Sequence, residues 1–389
     1  MTDPVILGWG HSLFGKSPHE DTESLMAEVV PAALDHAGIT AGDVDGIFVG
    51  VFNNGFSAQD FQAALVGMGD PALAQIPATR FENACATGSA ALFGAADFIA
   101  SGRGRIALVV GAEKMTATPT AEVGEILLGA SYRREEASVE AGFAGLFGQI
   151  AAGYFQRYGD RSQELAMIAA KNHENGMRNP YAHMRKDLGV EFCATISDRN
   201  PRVAGPLRRS DCSLISDGAA ALVLAHPDLA ADAPRAIGFR ARAQANDVMA
   251  LSRRDVLEFR GARRAWAQAL AAAGVTLDDL SLVETHDCFT IAEMLEYEAM
   301  GLAEPGQGHR VIREGLTHRG GRLPVNLSGG LKSKGHPIGA TGVSQHVMAA
   351  MQLAGEAGGM QLAGATMAGV FNMGGAAVTN YVSILERLR

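Results

Sequence analysis

The feature that most constrains this chain is that it repeats itself. Residues 31–50, PAALDHAGITAGDVDGIFVG, resemble residues 267–286, AQALAAAGVTLDDLSLVETH, at an offset of 236. Each stretch reads as an amphipathic helix closed by Ala-Gly, a turn carrying Asp, and a buried strand. Ala86-Thr87-Gly88 returns as Ala340-Thr341-Gly342 at an offset of 254, each opening an alanine-rich helical stretch. DGAAALVL from Asp217 resembles MGGAAVTN from Met373 at an offset near 156. Three matches in one order point to a duplicated unit. The offset drops by roughly a hundred between the last two, so the first copy carries an insertion of that size. It falls between the strand RIALVVGAEKM (Arg105 to Met115) and the strand at Asp217. The insertion has mixed charge runs, a glycine-rich stretch at 141–153 and NPYAHMRKD, and reads as an irregular excursion carrying helices. Helices alternating with short apolar strands imply parallel-rich α/β sheets. The expected organisation is two α/β halves, 1–233 and 234–389, with a lid-like subdomain at about 116–210 in the first.

Composition narrows the function classes. At 47% hydrophobic and 19% charged residues the chain has a large core to bury and is not disordered. Its 47 glycines and few aromatics favour tight turns and closely packed small-residue helices. A net charge of −9 with no basic block argues against nucleic acid or an anionic membrane surface as partner. Cys85, Cys193, Cys212 and Cys288 lie far apart with no Cys-x-x-Cys, against a zinc site or a disulfide framework. The start, MTDPVILGWG, lacks a signal-peptide pattern, no run reaches membrane-spanning length, and the final LERLR carries no peroxisomal tripeptide. The expectation is a cytoplasmic protein.

One motif is a decoy. Gly10 to Ser17, GHSLFGKS, fits the phosphate-binding pattern G-x-x-x-x-G-K-[ST] letter for letter. That loop needs a helix beginning at its Gly-Lys-Ser, whereas Pro18 disfavours helical geometry at Ser17 and Glu20 and Asp21 add negative charge. The helix is expected to start at Thr22. Gly102-Arg103-Gly104 precedes a strand, where a dinucleotide fingerprint must follow one.

The chemistry points elsewhere. Arg80 to Ser89, RFENACATGS, passes from a strand into a helix of small residues and puts Cys85 at a helix N-terminus, whose partial positive charge favours thiolate. The alternative is a small packed core cysteine. In the second copy KGHPIGATG places His336 before the duplicated Ala-Thr-Gly, so symmetry sets it opposite Cys85, a base beside a nucleophile. Glu284 to Phe289, ETHDCF, adds His286 and Cys288 at a strand end, where such sheets form their crevice. Two ligands one residue apart with no third cluster make a metal improbable there. Phe371 to Gly375, FNMGG, is a glycine turn whose amides suit an oxyanion hole.

Together these residues resemble the thiolase family from end to end. NACATGSAAL is similar to its nucleophilic-cysteine motif and GHPIGATG to its histidine motif. HDCF, EMLEYEAMGLAEPGQG and NLSGGLKSKGHPIGATG are similar to the sterol-carrier-protein type of thiolase. Most thiolases have Asn-Glu-Ala-Phe where this chain has HDCF, and a second catalytic cysteine in a C-terminal Cys-x-Gly where this chain has Asn372-Met373-Gly374. The resemblance implies the five-layered αβαβα thiolase fold, two similar halves plus a loop domain. It implies CoA-dependent acyl transfer, as thiolysis of 3-oxoacyl-CoA or the reverse Claisen condensation. Cys85 would take the acyl group, His336 its proton, and Cys288 would replace the second cysteine in moving the α-carbon proton. His286 would orient a water or donate to the enolate oxygen. The amides of Cys85 and Gly374, with His336, would hold the oxyanion. Ser213 matches a pantetheine-contacting serine. Arg199, Arg202, Arg208 and Arg209 cluster beside it, either for CoA phosphates or as a solvated basic face, with Arg208 the chosen contact. Cys193 and Cys212 are taken as structural. No metal or redox cofactor is implied, and CoA is substrate. The resemblance further implies a homodimer or dimer of dimers. Its alternative is a retro-aldolase or scaffold subunit working with a small OB-fold companion protein.

Overall fold

Strand pairing repeats as the sequence does. A computed structural model describes residues 3–389. The first half supplies β1 (Val5–His11), β2 (Gly46–Gly50), β3 (Ala78–Phe81) and β4 (Ile106–Glu113). A small hairpin of β5 (Arg202–Ala204) and β6 (Leu207–Arg208) precedes β7 (Gly218–Ala225). The second half supplies β8 (Ile237–Asn246), β9 (Leu282–Glu284), β10 (Met367–Gly374) and β11 (Thr379–Arg387). The sheet order is β3-β2-β4-β7-β1-β8-β11-β10-β9. Reading outward from the β1–β8 seam, each half runs antiparallel, antiparallel, then parallel. A parallel bridge from Val283 to Val325 stands where β2 pairs with β3 in the first half.

The helices that position the site are α1 (Thr22–Ala37), α2 (Thr87–Ala100), α3 (Gly142–Tyr158), α4 (Ser162–Gly176), α5 (Arg260–Ala273), α6 (Thr290–Met300) and α7 (Ile338–Ala354). α1 covers the outer face of the first half-sheet and α5 that of the second. Between the half-sheets α2 and α7 pack against each other, α7 against strands of both halves and α2 against the first, reaching β11 through Phe93 on Tyr381. This gives five layers, and β4 and β7 are buried almost end to end because helices cover both faces. The repeated Ala-Thr-Gly explains the central contact. A Cβ on Gly88 would lie 2.7 Å from the Val343 amide, and one on Gly342 would lie 2.3 Å from the Ser89 amide. The two helices can touch only where both lack a side chain. The repeated Ala-Gly closes α1 and α5 on left-handed caps, at Gly38 (φ 71°) and Gly274 (φ 66°).

Residues 114–217 separate β4 from β7, whereas four residues separate β10 from β11. This excursion carries α3, α4 and the β5–β6 hairpin, and its helices cross over to pack on α6 of the second half. Buried polar contacts tie it there: Tyr154 donates to Glu298 at 2.6 Å, Lys171 to Glu293 at 2.6 Å and Asn172 to Asp287 at 2.7 Å. Among the described residues no helix is long and apolar enough to cross a membrane.

Two expectations change. The sheet is not parallel-rich: β1–β7, β4–β7, β1–β8, β8–β11 and β10–β11 are antiparallel, and only β2–β3, β2–β4 and β9–β10 are parallel. A four-residue connection between β10 and β11 permits no crossover, so that pair must be antiparallel. The third repeat also shifts register. β7 begins at Gly218 and β11 at Thr379, an offset of 161, so Met373 and Gly374 end β10 and residues 375–378 form the turn to β11 instead of opening a strand. Small residues serve both a buried strand and a tight turn, and the letters cannot separate them.

The GHSLFGKS segment leaves β1 as a loop, and α1 starts at Thr22 on an Asp21 cap that accepts from the Ser24 amide at 2.9 Å. Asp217 stands where a phosphate would. Its carboxylate accepts from the amides of Ser17 (3.0 Å), Met115 and Thr116 (2.7 Å each) and from Lys114 Nζ at 2.6 Å.

Candidate active site

Three helix starts converge. Ala86 caps α2, Phe289 caps α6 and Pro337 caps α7, so Cys85, Cys288 and His336 each stand one residue before a cap. The turn into Cys85 is tight, with Ala84 at φ 50°, a left-handed position costly for a side chain. Thr87 holds that turn: its hydroxyl donates to the Ala84 carbonyl at 2.6 Å and accepts from the Asn83 amide at 2.8 Å. Thr341, its counterpart in the repeat, donates to the Pro337 carbonyl at 2.9 Å and meets His336 Nδ1 at 2.6 Å. With its own hydrogen engaged, the Thr341 oxygen accepts from Nδ1–H, and His336 Nε2 carries the lone pair.

The sulfur of Cys85 and one ring nitrogen each of His286 and His336 lie within 4.8 Å of one another. The imidazoles stand edge to face, centroids 5.0 Å apart and planes at 83°. Asn372 on β10 is fully buried, and its Nδ2 meets the Cys85 carbonyl at 3.0 Å and His286 Nδ1 at 2.8 Å. His286 Nε2 is buried without a partner. Glu113, at the end of β4, accepts from the Phe52 amide at 2.9 Å and the Gly339 amide at 3.0 Å, fastening the start of α7 to the strand ends. Asp287 accepts from the amides of Leu331 (2.7 Å) and Lys332 (3.2 Å), fixing the segment that leads to His336.

Burial governs the protonation states. It pushes the Cys85 thiol up to about 12, and the charges of Glu82 and Glu113 add to the rise against hydrogen bonds from the Gly375 amide and its own. His336 is brought down to about 3 by burial and by Lys334. His286 falls well below its usual range through burial, His336 and Lys334. Cys288 rises well above its usual range through burial and the charges of Cys85, Glu296 and Asp287. The resting cluster is therefore neutral, two thiols and two imidazoles. The expected thiolate at Cys85 is corrected: a helix N-terminus supplies about half a charge, and full burial outweighs it. Neither thiol is tuned toward neutrality.

A cavity of about 420 Å³ opens above His336. Its wall is mostly apolar, from Val123, Leu127, Phe143, Leu214, Ile215 and Phe289, with Ser213 and Arg209 as polar groups. Ser213 lines this cavity, and its amide donates to the Cys288 carbonyl at 2.9 Å. Arg208 does not. It is buried in an ion pair with Asp211, Nε to Oδ2 at 2.8 Å, and donates to the Ser162 carbonyl at 2.7 Å, so no phosphate can reach it. Exposed Arg209 lines the cavity instead. Beside Gly374, the amide of Gly375 meets the Cys85 sulfur. Cys193 is buried beneath α4, whereas Cys212 lines the cavity.

Sequence reasoning passed over the side chains of Asn372, Thr341, Glu113 and Asp287. Asn372 was visible as the residue replacing a cysteine, and Thr341 only as a marker of the repeat.

A family model described as the thiolase N-terminal domain matches residues 10–192, and one described as thiolase C-terminal domain-like matches residues 243–387. The acetyl-CoA acetyltransferase of Methanothermobacter thermautotrophicus is 37% identical over 394 residues, covering 100% of each chain. Sterol carrier protein 2 of Bos taurus is 32% identical over 388 residues, 95% of this chain and 69% of that one. The solved Ltp2-ChsH2(DUF35) aldolase superposes with a TM-score of 0.82 at 21% identity, over 100% of this chain and 98% of that one, a likeness of fold alone.

Proposed function

This chain belongs to the thiolase family, and from that premise we propose how it works as a CoA-dependent acyltransferase, by thiolysis of 3-oxoacyl-CoA or the reverse condensation. The observation that carries the reading is the meeting of the Cys85 sulfur with two imidazole nitrogens within 4.8 Å, where His336 reaches the cavity. As Cys85 attacks the 3-oxo carbon its proton passes to His336 Nε2, the one ring nitrogen with a free lone pair. Amides at Cys85 and Gly375 face the sulfur, and those of Cys85 and Gly374, with His336, hold the oxyanion that forms beside it. The C2–C3 bond then breaks and leaves the acyl group on Cys85. Cys288, held as a thiol, protonates the departing acetyl-CoA enolate, whose oxygen faces His286. A second CoA thiol gives its proton to the Cys288 thiolate and takes the acyl group from Cys85, whose departing sulfur recovers its proton from His336. Condensation runs the same steps backward.

CoA enters through the cavity, with Ser213 beside the pantetheine and Arg209 toward the phosphates. No residue role in these steps calls for a metal or redox cofactor. We take at least a homodimer as the working assembly. Supporting it, β3 lies at the open end of the sheet with exposed side chains, and Phe61 and Met68 nearby in sequence are 82% and 69% exposed. A cytoplasmic setting and a role in fatty-acid or other lipid metabolism belong to the same reading. The lyase alternative with a companion protein needs no acyl-cysteine, so the preserved Cys85–His336 pair favours acyl transfer.

The test is direct. Incubation with acetyl-CoA or acetoacetyl-CoA should leave an acyl group on Cys85 by peptide mass spectrometry. An unmodified Cys85 with every chain length from acetyl to medium, or full activity in Cys85→Ala, would sink the proposal. Light scattering should give at least a dimer, and a strict monomer at micromolar concentration would refute the assembly.

A further inference from the structure

The position of Asn372 settles which ring nitrogen of His286 bears the hydrogen. A peptide carbonyl only accepts, so the group 3.0 Å from the Cys85 oxygen is the amide nitrogen of Asn372. That nitrogen carries two hydrogens, and the second points at His286 Nδ1, 2.8 Å away. Nδ1 must therefore hold a lone pair, and the imidazole hydrogen sits on Nε2. His336 is set the opposite way by Thr341. The two rings are thus set in opposite tautomers, Nε2–H on His286 and bare Nε2 on His336, and one nitrogen of each lies within 4.8 Å of the Cys85 sulfur.

The room for this arrangement comes from the repeated Ala-Thr-Gly of α7. A Cβ on Gly342 would stand 2.4 Å from Asn372 Oδ1. Thr341 therefore fixes one histidine, and Gly342 leaves space for the residue that fixes the other.

Cysteine with two histidines inside 4.8 Å is also a ligand set for a soft divalent ion. Such an ion needs a lone pair from each ligand. On His286 the Nδ1 lone pair is taken by Asn372 and Nε2 carries the hydrogen, so neither nitrogen is free to bind and the cluster as built does not fit a metal.

We propose that Asn372 is a positioning residue that holds His286 as an Nε2–H hydrogen-bond donor, and that by the same bond it denies Cys85, His286 and His336 to zinc. The kinetic part rests on the acyl-transfer reading; the tautomer and zinc parts do not.

The test uses the full-length protein with 15N-labelled histidine. In the wild type, His286 should show Nε2 protonated and Nδ1 bare, and a protonated Nδ1 would overturn the proposal without any variant. Asn372→Asp keeps the shape and replaces the donor with an acceptor. His286 should then carry its hydrogen on Nδ1, in the carboxylate–histidine arrangement that zinc sites favour. Zinc affinity, read by competition with a chromophoric chelator, should tighten by about 10–100-fold. Adding His286→Ala to that variant should abolish the gain. Equal zinc affinity in wild type and folded Asn372→Asp would defeat the proposal. Should Asn372→Asp not fold, Asn372→Ala, which removes the donor and leaves the contact between Gly342 and Ser89 untouched, is the second probe. It should yield a mixed His286 tautomer, and an unchanged pure Nε2–H form would count against Asn372 as its cause. In the acyl-transfer assay Asn372→Asp should lower kcat with little change in KM. A loss confined to KM would mean that Asn372 does not act through His286. Absence of any turnover in the wild type would sink the acyl-transfer reading and leave the tautomer and zinc results to decide this one.

Discussion

Thr341→Val tests whether His336 is a base because of its environment. The substitution keeps the branched shape and removes one oxygen. Pro337 O loses little, because it still accepts from the amides of Ala340 at 3.1 Å and Thr341 at 3.0 Å. The cost falls on His336, whose Nδ1–H loses its partner at 2.6 Å in a buried site. Leaving a buried donor unsatisfied costs about 1–3 kcal/mol. The ring can escape by moving the hydrogen to Nε2, and that nitrogen then cannot take the proton of Cys85. With about 1.4 kcal/mol per decade, the form able to accept that proton becomes roughly 5- to 150-fold rarer. Acylation by acetyl-CoA, followed as single-turnover release of free CoA, should slow by that factor with KM nearly constant. The melting temperature should fall only modestly, and Thr341→Ser should restore the rate. A folded Thr341→Val protein that acylates at the wild-type rate would refute the argument. So would a loss appearing only in KM.

Other expectations follow from neighbouring contacts. Cys288→Ala should still accept an acetyl group from acetyl-CoA but lose thiolysis, condensation and α-proton exchange by about 10²–10⁴-fold; near-normal condensation in the folded variant would move the proton to His286 or a water. Arg208→Ala should leave the KM for CoA unchanged and destabilise the fold by about 3–5 kcal/mol, since Asp211 stays buried without its partner; a raised KM with unchanged stability would restore Arg208 as a CoA contact. Stability should peak between about pH 5 and 7. His11, His173 and His336 are held near 3 and His346 near 4, below their unfolded values. The unfolded chain therefore binds more protons, and their contribution is lost as pH falls below about 6.5, each by up to about 1.4 kcal/mol per unit. Glu113 and Asp287 are raised to about 8 and about 7, so theirs is lost as pH rises from about 4.5 toward those values. Calorimetry from pH 4 to 9 checks both limbs, and a melting temperature level from pH 6.5 to 8.5 would contradict the raised carboxyls.

What could be read from the chain depended on whether the signal was local in sequence. The duplication and its excursion were readable because offsets report the order of elements, and element order is what the sheet obeys. Cys85 and His336 were readable because the same three letters follow each of them at a helix start. Arg208 was misread because a cluster of arginines looks like a basic surface, and only the fold shows that Asp211 occupies one of them. The thiolate expected at Cys85 failed for a related reason. A helix terminus is visible in a few residues, whereas burial is produced by the whole molecule. Asn372 lies 86 residues from His286 in sequence, and nothing short of the β10 register brings the two together.

The excursion between β4 and β7 has an evolutionary reading. All but three of the residues around the cavity above His336 lie in 115–215, while Cys85, His286, Cys288, His336 and Asn372 all lie outside that span. On the proposed mechanism the duplicated frame carries the reacting groups, and one inserted stretch shapes the cavity beside them. Selection can reshape that stretch without disturbing the reacting groups, which stand on a different part of the chain. Lineages of such proteins can diverge in substrate preference by drift in a single segment, and ancestral or chimeric chains exchanged at the ends of β4 and β7 would inherit their substrate range from the donor of that segment.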